Sequence, residues 1–201
     1  MNRLLSWILC AVFAALTGVL SQIQIPLPFT PVPINLALLP VFICGGALGA
    51  KRGAVSMVIY ILLGAVGAPV FVGFSGGVGA LAGPTGGYIL GYLPAAVIMG
   101  WFASKGANAE TARKPALGGT LRGGRGVLIS LAKGVPALAA CYALGTGWFM
   151  LSQGMGLWQS LVMCVIPFVP GDVLKIIAAS VVIEALRNPL RAIAASRNGG
   201  L

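Results

Sequence analysis

The apolar stretch "PFVPGDVLKII", residues 167–177, holds a carboxylate and an ammonium three positions apart, Asp172 and Lys175. The chain has only three acidic residues in 201, so a carboxylate placed here needs a reason. On a helix, a spacing of three puts both groups on one face. Together they form an acceptor beside a donor, suited to a small polar ligand that offers N–H groups along with a carbonyl or carboxylate. The plainer alternatives are an ion pair that staples two helices, or a lysine snorkelling toward water. Cost weighs against both, because an ionisable group at membrane depth costs at least ~2.5 kcal/mol on insertion scales and usually lines a cavity.

Membrane depth follows from composition. The chain is 58% hydrophobic and 8% charged, where a soluble domain carries about a quarter charged residues. We expect an all-α integral membrane protein, one membrane domain over 1–201, with six spans at about 4–23, 34–50, 53–67, 87–103, 127–147 and 170–186. The last boundary rests on Pro167 and Pro170, since proline is tolerated in the first turn of a helix and breaks its interior. Residues 157–165 are then left as a short outer segment along the bundle.

The net charge of +10 sorts by side. Arg3, the Lys51–Arg52 pair, the basic residues of the fourth connection (Lys105, Arg113, Lys114, Arg122, Arg125) and Arg187, Arg191 and Arg197 alternate with loops that carry no charge. The positive-inside rule puts both termini and the basic loops in the cytoplasm, and the charge-free loops outside. The charge therefore reports topology, and no nucleic-acid partner is expected. Loss of the first helix as a signal peptide would set the basic loops against the new terminus, so we expect it to be retained. Cys10, Cys44, Cys141 and Cys164 show no paired spacing and read as small packing residues. With no histidine in the chain, no metal site is expected.

Two outer loops join the acid–base pair. "SQIQIPLPFTPVPIN" has prolines at 26, 28, 31 and 33, which exclude a regular helix and favour a stiff extended segment. "GAPVFVGFSGGVGALAGPTGGYILGY" carries more glycine than a stable helix tolerates, interleaved with Phe71, Phe74, Tyr88 and Tyr92. Its "GPTGG" lacks the lysine and hydroxyl end of a phosphate-binding loop. Close helix packing explains some of the glycines, and the aromatics suit flat apolar walls for a ring. All three features fall on one side of the membrane and converge on an outward pocket.

"PLPFTPVPIN", "GAPVFVGFSGG", "GPTGGYILGY" and "PFVPGDVLK", in that order and spacing, closely resemble the biotin-specific substrate-capture subunits (BioY type) of energy-coupling-factor vitamin transporters. The resemblance runs from the first helix to Arg187. It implies a six-helix bundle in a bacterial or archaeal inner membrane that captures biotin at its outer face, with the proline-rich loop as a lid. It also implies ligand contacts from Asp172 and Lys175 and from the "GPTGGY" segment, here Gly83, Pro84, Thr85, Gly87 and Tyr88. Phe74 and Tyr88 would enclose the rings, and Asn35 sits where the lid meets the second helix, in a sequence that departs from the family's pattern there. Biotin would be cargo, with no cofactor. Partners would be membrane lipid, a transmembrane coupling subunit and two ATPase subunits, the coupling subunit docking on small residues of the first helix. Ala11 and Ala15, with Ala14 and Gly18 beside them, supply such residues, although ordinary packing within the bundle would use them equally well.

The chain has no ATP-binding motif, and apart from Asp172 and Lys175 the spans hold only Lys133 and Glu184 as ionisable groups, too few for a proton relay. A solitary biotin facilitator would share this sequence. An intramembrane lipid-modifying enzyme using Asp172 as base lacks a nucleophile at matching depth, so no enzyme is expected.

Overall fold

In the computed structural model the backbone is described for residues 3–110 and 124–195, and side chains for 3–103 and 131–186. The basic side chains between 105 and 125, and those of Arg187, Arg191 and Arg197, lie outside the described residues. The chain is mostly helical: α1 (Arg3–Ser21), α2 (Leu38–Leu48), α3 (Ala50–Ala65), α4 (Val78–Ala82), α5 (Gly86–Glu110), α6 (Gly124–Gln153), α7 (Leu157–Cys164) and α8 (Val169–Ala195). Among the described residues, α1, Gly86–Ala103 of α5 and Leu131–Gln153 of α6 are long and apolar enough to cross a membrane. Residues 157–164 and Val169–Leu186 do so only as a pair bent by 53°. The bend falls at Pro167, whose missing N–H cannot continue the ladder of α7.

The second segment departs from the sequence expectation. Read as 34–50, it yields a helix only from Leu38, because 34 and 35 belong to a strand. The proline-rich loop is extended, as expected, and it is also paired: β1 (Gln24–Leu27) and β2 (Thr30–Asn35) form an antiparallel hairpin that turns at Pro28 and Phe29. Periodicity could not reveal this pairing, because prolines replace the alternating pattern of a strand. A two-stranded hairpin has only edge strands, so a proline on either one can face away from its partner. Val32 and Thr30 turn inward and are buried, while Ile25 and Phe29 are exposed.

Glycines set the helix spacing. A Cβ on Gly45 of α2 would stand 2.4 Å from the Ala96 carbonyl oxygen of α5, and one on Gly100 would stand 2.3 Å from the Ala50 nitrogen of α3. The α5–α6 seam is built likewise, with Gly87 against Trp148 and Leu144, Gly91 against Cys141, and Gly145 under the Tyr88 ring. Backbones come this close only where side chains are missing. Gly49, at φ 86°, makes the turn that sends α3 back along α2.

Candidate functional site

The first turn of α8 carries Asp172 and the next carries Lys175. Near the positive end of a helix a carboxylate is favoured, and the backbone N–H of Asp172 is already paired with the Phe168 carbonyl at 2.9 Å. Lys175 Nζ donates to Asp172 Oδ1 at 2.6 Å, and the two residues are 8% and 2% exposed. The pair is not closed on itself. Tyr142 of α6 donates its hydroxyl to Asp172 Oδ2 at 2.5 Å, making a three-member array across α6 and α8. A carboxylate has about four lone-pair positions, so each oxygen can accept one more bond from a ligand.

The array forms one wall of a cavity with about 490 Å³ of empty space, its mouth included. Val32, Pro33 and Asn35 of β2 and Leu38 of α2 form one side. Val72, Thr85, Tyr88, Ile89 and Tyr92 form another, and Cys164 and Phe168 complete the lining. An apolar box thus holds polar groups concentrated on α8 and α6 and at the end of β2.

The residues singled out from the sequence divide. Asp172, Lys175, Thr85, Tyr88 and Asn35 come together on the cavity. Asn35 Oδ1 accepts from the Ala37 N–H at 3.0 Å, a local turn that holds its side chain at the start of α2. Tyr88 is already engaged, its hydroxyl meeting the Cys164 carbonyl at 3.3 Å and Thr146 Oγ1 at 3.2 Å. Its ring therefore serves as a fixed wall.

Gly83, Pro84 and Gly87 do not line the cavity. The Gly83 carbonyl accepts from Trp148 Nε1 at 3.0 Å, and Gly87 lies against the Trp148 Cβ, so both hold α5 to α6. Phe74 is 72% exposed and does not line the cavity, where Val72 takes the wall position. The cause is backbone geometry: Gly73 and Phe74 have φ 70° and 56°, and this left-handed turn throws the ring outward.

On α1, Ala11 and Ala15 are exposed, whereas Ala14 and Gly18 face the bundle, Gly18 against Val70. The small-residue row is therefore split between two faces. Tyr142 escaped the sequence reading because it sits mid-helix in apolar sequence with no motif around it. Cys164, read as packing, also lines the cavity.

The family model that describes the BioY family matches residues 1–192. The chain belongs to the BioY family. Among BioY relatives, a protein of Pyrococcus horikoshii described as a probable biotin transporter is 36% identical over 179 residues, covering 89% of this chain and 94% of that one. The biotin transporter BioY of Rhodobacter capsulatus is 34% identical over 188 residues, covering 89% and 90%. A crystal structure of the S-component for biotin from an ECF-type ABC transporter superposes with a TM-score of 0.77 at 28% identity, covering 94% of this chain and 95% of that one.

Proposed function

We propose that this chain captures biotin at the outer face of a bacterial or archaeal inner membrane, as the substrate-specific subunit of an energy-coupling-factor transporter. The observation that carries the proposal is the Lys175–Asp172–Tyr142 array, buried yet on the wall of a largely apolar cavity that also presents Thr85 and Asn35. Biotin has the complementary chemistry: a ureido ring with two N–H donors and a carbonyl acceptor, an apolar fused ring and a carboxylate. Asp172 accepts from a ureido N–H, Lys175 and Thr85 donate to ligand oxygens, and Asn35 offers its amide. Tyr88, Tyr92, Phe168 and Val72 enclose the rings. Analogues that lack the ureido N–H groups leave the carboxylate short of a partner and are rejected. Gly83, Pro84 and Gly87 contribute by shaping the loop that presents Thr85.

In the membrane the chain crosses six times within a single domain, through α1, α2, α3, α5, α6 and α8, with both termini in the cytoplasm. The eleven residues of α2 rise only ~16 Å. Extended backbone of β2 continues that crossing, as is tolerated where it borders a cavity instead of lipid. Lys51 and Arg52 stand at the far end of α2 from the cavity, in keeping with a cytoplasmic turn. A transmembrane coupling subunit docks on the face of α1 that bears Ala11 and Ala15, and two ATPases supply the energy.

Uptake of labelled biotin tests this in cells lacking their own transporter, with the chain expressed alone and with a coupling subunit and ATPases. Accumulation that needs all the partners is expected. Full uptake by the chain alone would make it a solitary facilitator, and no biotin binding in either case would overturn the assignment.

A further inference from the structure

The turn that carries Val72 into the cavity wall is gripped from outside by a side chain at the end of α1. Gln22, just past the end of α1, accepts the Phe74 N–H on Oε1 at 2.8 Å. Its two amide hydrogens are shared among the Phe71 carbonyl at 3.0 Å, the Gly18 carbonyl at 3.0 Å and Ser21 Oγ at 2.9 Å. One carboxamide thus bridges both ends of the 71–74 turn, as a neighbouring strand would. The turn needs holding. Phe74 sits at φ 56°, a conformation that costs a non-glycine residue ~1–3 kcal/mol and persists only where its surroundings enforce it. Its ring, 72% exposed, does none of that enforcing.

The turn reaches the cavity by two routes. Val72 lines it directly. Phe71 lies edge-on to Tyr60 at 5.5 Å, and Tyr60 meets Tyr92, another wall residue, at 6.2 Å. The Phe71 ring is seated over Gly64, in the space a side chain there would fill, since a Cβ would come within 2.0 Å of it. Tyr60 and Ser21 both donate to the Val70 carbonyl, at 3.3 and 2.8 Å, fastening the near end of the turn. The far end is closed within the loop by the Phe71 N–H on the Ser75 carbonyl at 3.0 Å and by Ser75 Oγ on the Val72 carbonyl at 2.7 Å, and from outside the loop Gln22 takes the Phe74 N–H.

We propose that Gln22 is a positioning residue of the site: its carboxamide clips the 71–74 turn to the end of α1 and so fixes the Val72 wall against which the ligand packs. This rests on the reading of the cavity as a biotin site. The residue touches no ligand itself, and its effect is on how long the ligand stays.

The test measures biotin association and dissociation on the purified full chain. Gln22→Ala is expected to speed dissociation roughly tenfold, the value of about one hydrogen bond, with association changed far less. Gln22→Glu separates positioning from general damage. Its carboxylate can accept from Phe74 but cannot donate to Phe71, whereas the protonated acid does both. With biotin amide as ligand, which carries no carboxylate, the variant's affinity relative to wild type should improve as pH falls from about 8 to about 5.

Phe74→Asn, which tolerates the left-handed turn and keeps the N–H, should bind as wild type does. Amide exchange of the wild-type protein needs no variant: the Phe74 amide, on an exposed loop, should exchange slowly. Wild-type dissociation in Gln22→Ala, a flat relative pH profile in Gln22→Glu, or free exchange at Phe74 would each overturn the positioning role while leaving the biotin assignment standing. A wild-type chain that binds no biotin would instead remove the assignment.

Discussion

Asp172→Asn changes two atoms' chemistry and almost no volume, so its consequences can be worked from the contacts. Asp172 is 2% exposed and accepts from Lys175 at 2.6 Å and Tyr142 at 2.5 Å. Losing the negative charge leaves the buried Lys175 ammonium without a counterion, a class of change that costs ~3–5 kcal/mol in other buried pairs. The adjoining cavity admits water and softens this, so about 3 kcal/mol is expected here. At roughly 2–4 °C per kcal/mol for a chain of this size, the melting temperature should fall by about 6–12 °C.

Binding loses a charge-assisted acceptor worth ~1.5–3 kcal/mol, or about 10- to 150-fold in affinity. The double variant Asp172→Leu/Lys175→Met separates the two effects. Replacing a buried pair with apolar groups of similar size is often neutral for stability, so its melting temperature should recover while binding stays lost. Thermal denaturation in detergent and calorimetric titration with biotin measure both. A single variant with wild-type affinity, or a double variant that binds, would refute the reasoning.

Tyr142→Phe should lower affinity about fivefold and stability by ~1.5–3 kcal/mol, the value of a hydrogen bond to a charged group; unchanged titration and melting curves would remove it from the array. Gly87→Ala should cost ~1–3 kcal/mol by overpacking, since the new methyl would stand 2.2 Å from the Trp148 Cβ and 2.7 Å from the Leu144 carbonyl oxygen, and a shifted melting temperature reports it. Ala11→Leu or Ala15→Leu, on an exposed face, should leave biotin affinity intact and impair uptake in cells that supply the coupling subunit and ATPases. Equal loss of both would indicate folding damage.

The parts legible in the sequence were those written in composition and in rare residues. A carboxylate in apolar sequence stands out because burying it is costly, and Asp172 and Lys175 lie together on the cavity wall. Pro167 marked the break before α8 because it cannot continue a helix, and Pro170 marked the start of α8 because the first turn tolerates proline. Tyr142 was invisible for the opposite reason: a tyrosine in a span is ordinary, and only the packing of α6 on α8 aims it at Asp172.

Phe74 shows where residue type misleads. An aromatic in a glycine-rich loop suggested a wall for a ring, yet two consecutive left-handed residues reverse the direction of the side chain, and single-sequence reading gives no φ. The glycines of "GPTGGY" likewise proved to be points of helix contact, with Thr85 and Tyr88 left to face the cavity. The hairpin was half legible. Its stiffness was written in prolines, but its register depends on pairing between residues that no local pattern links.

The most direct measurement is calorimetric titration of the detergent-purified chain with biotin, with desthiobiotin and with lipoate. Desthiobiotin keeps the ureido ring, and lipoate keeps only an apolar sulfur ring and a carboxylate tail. If the carboxylate of Asp172 reads ureido N–H groups inside the cavity, biotin and desthiobiotin bind one to one and lipoate does not. Binding of all three alike, or of none, would contradict it.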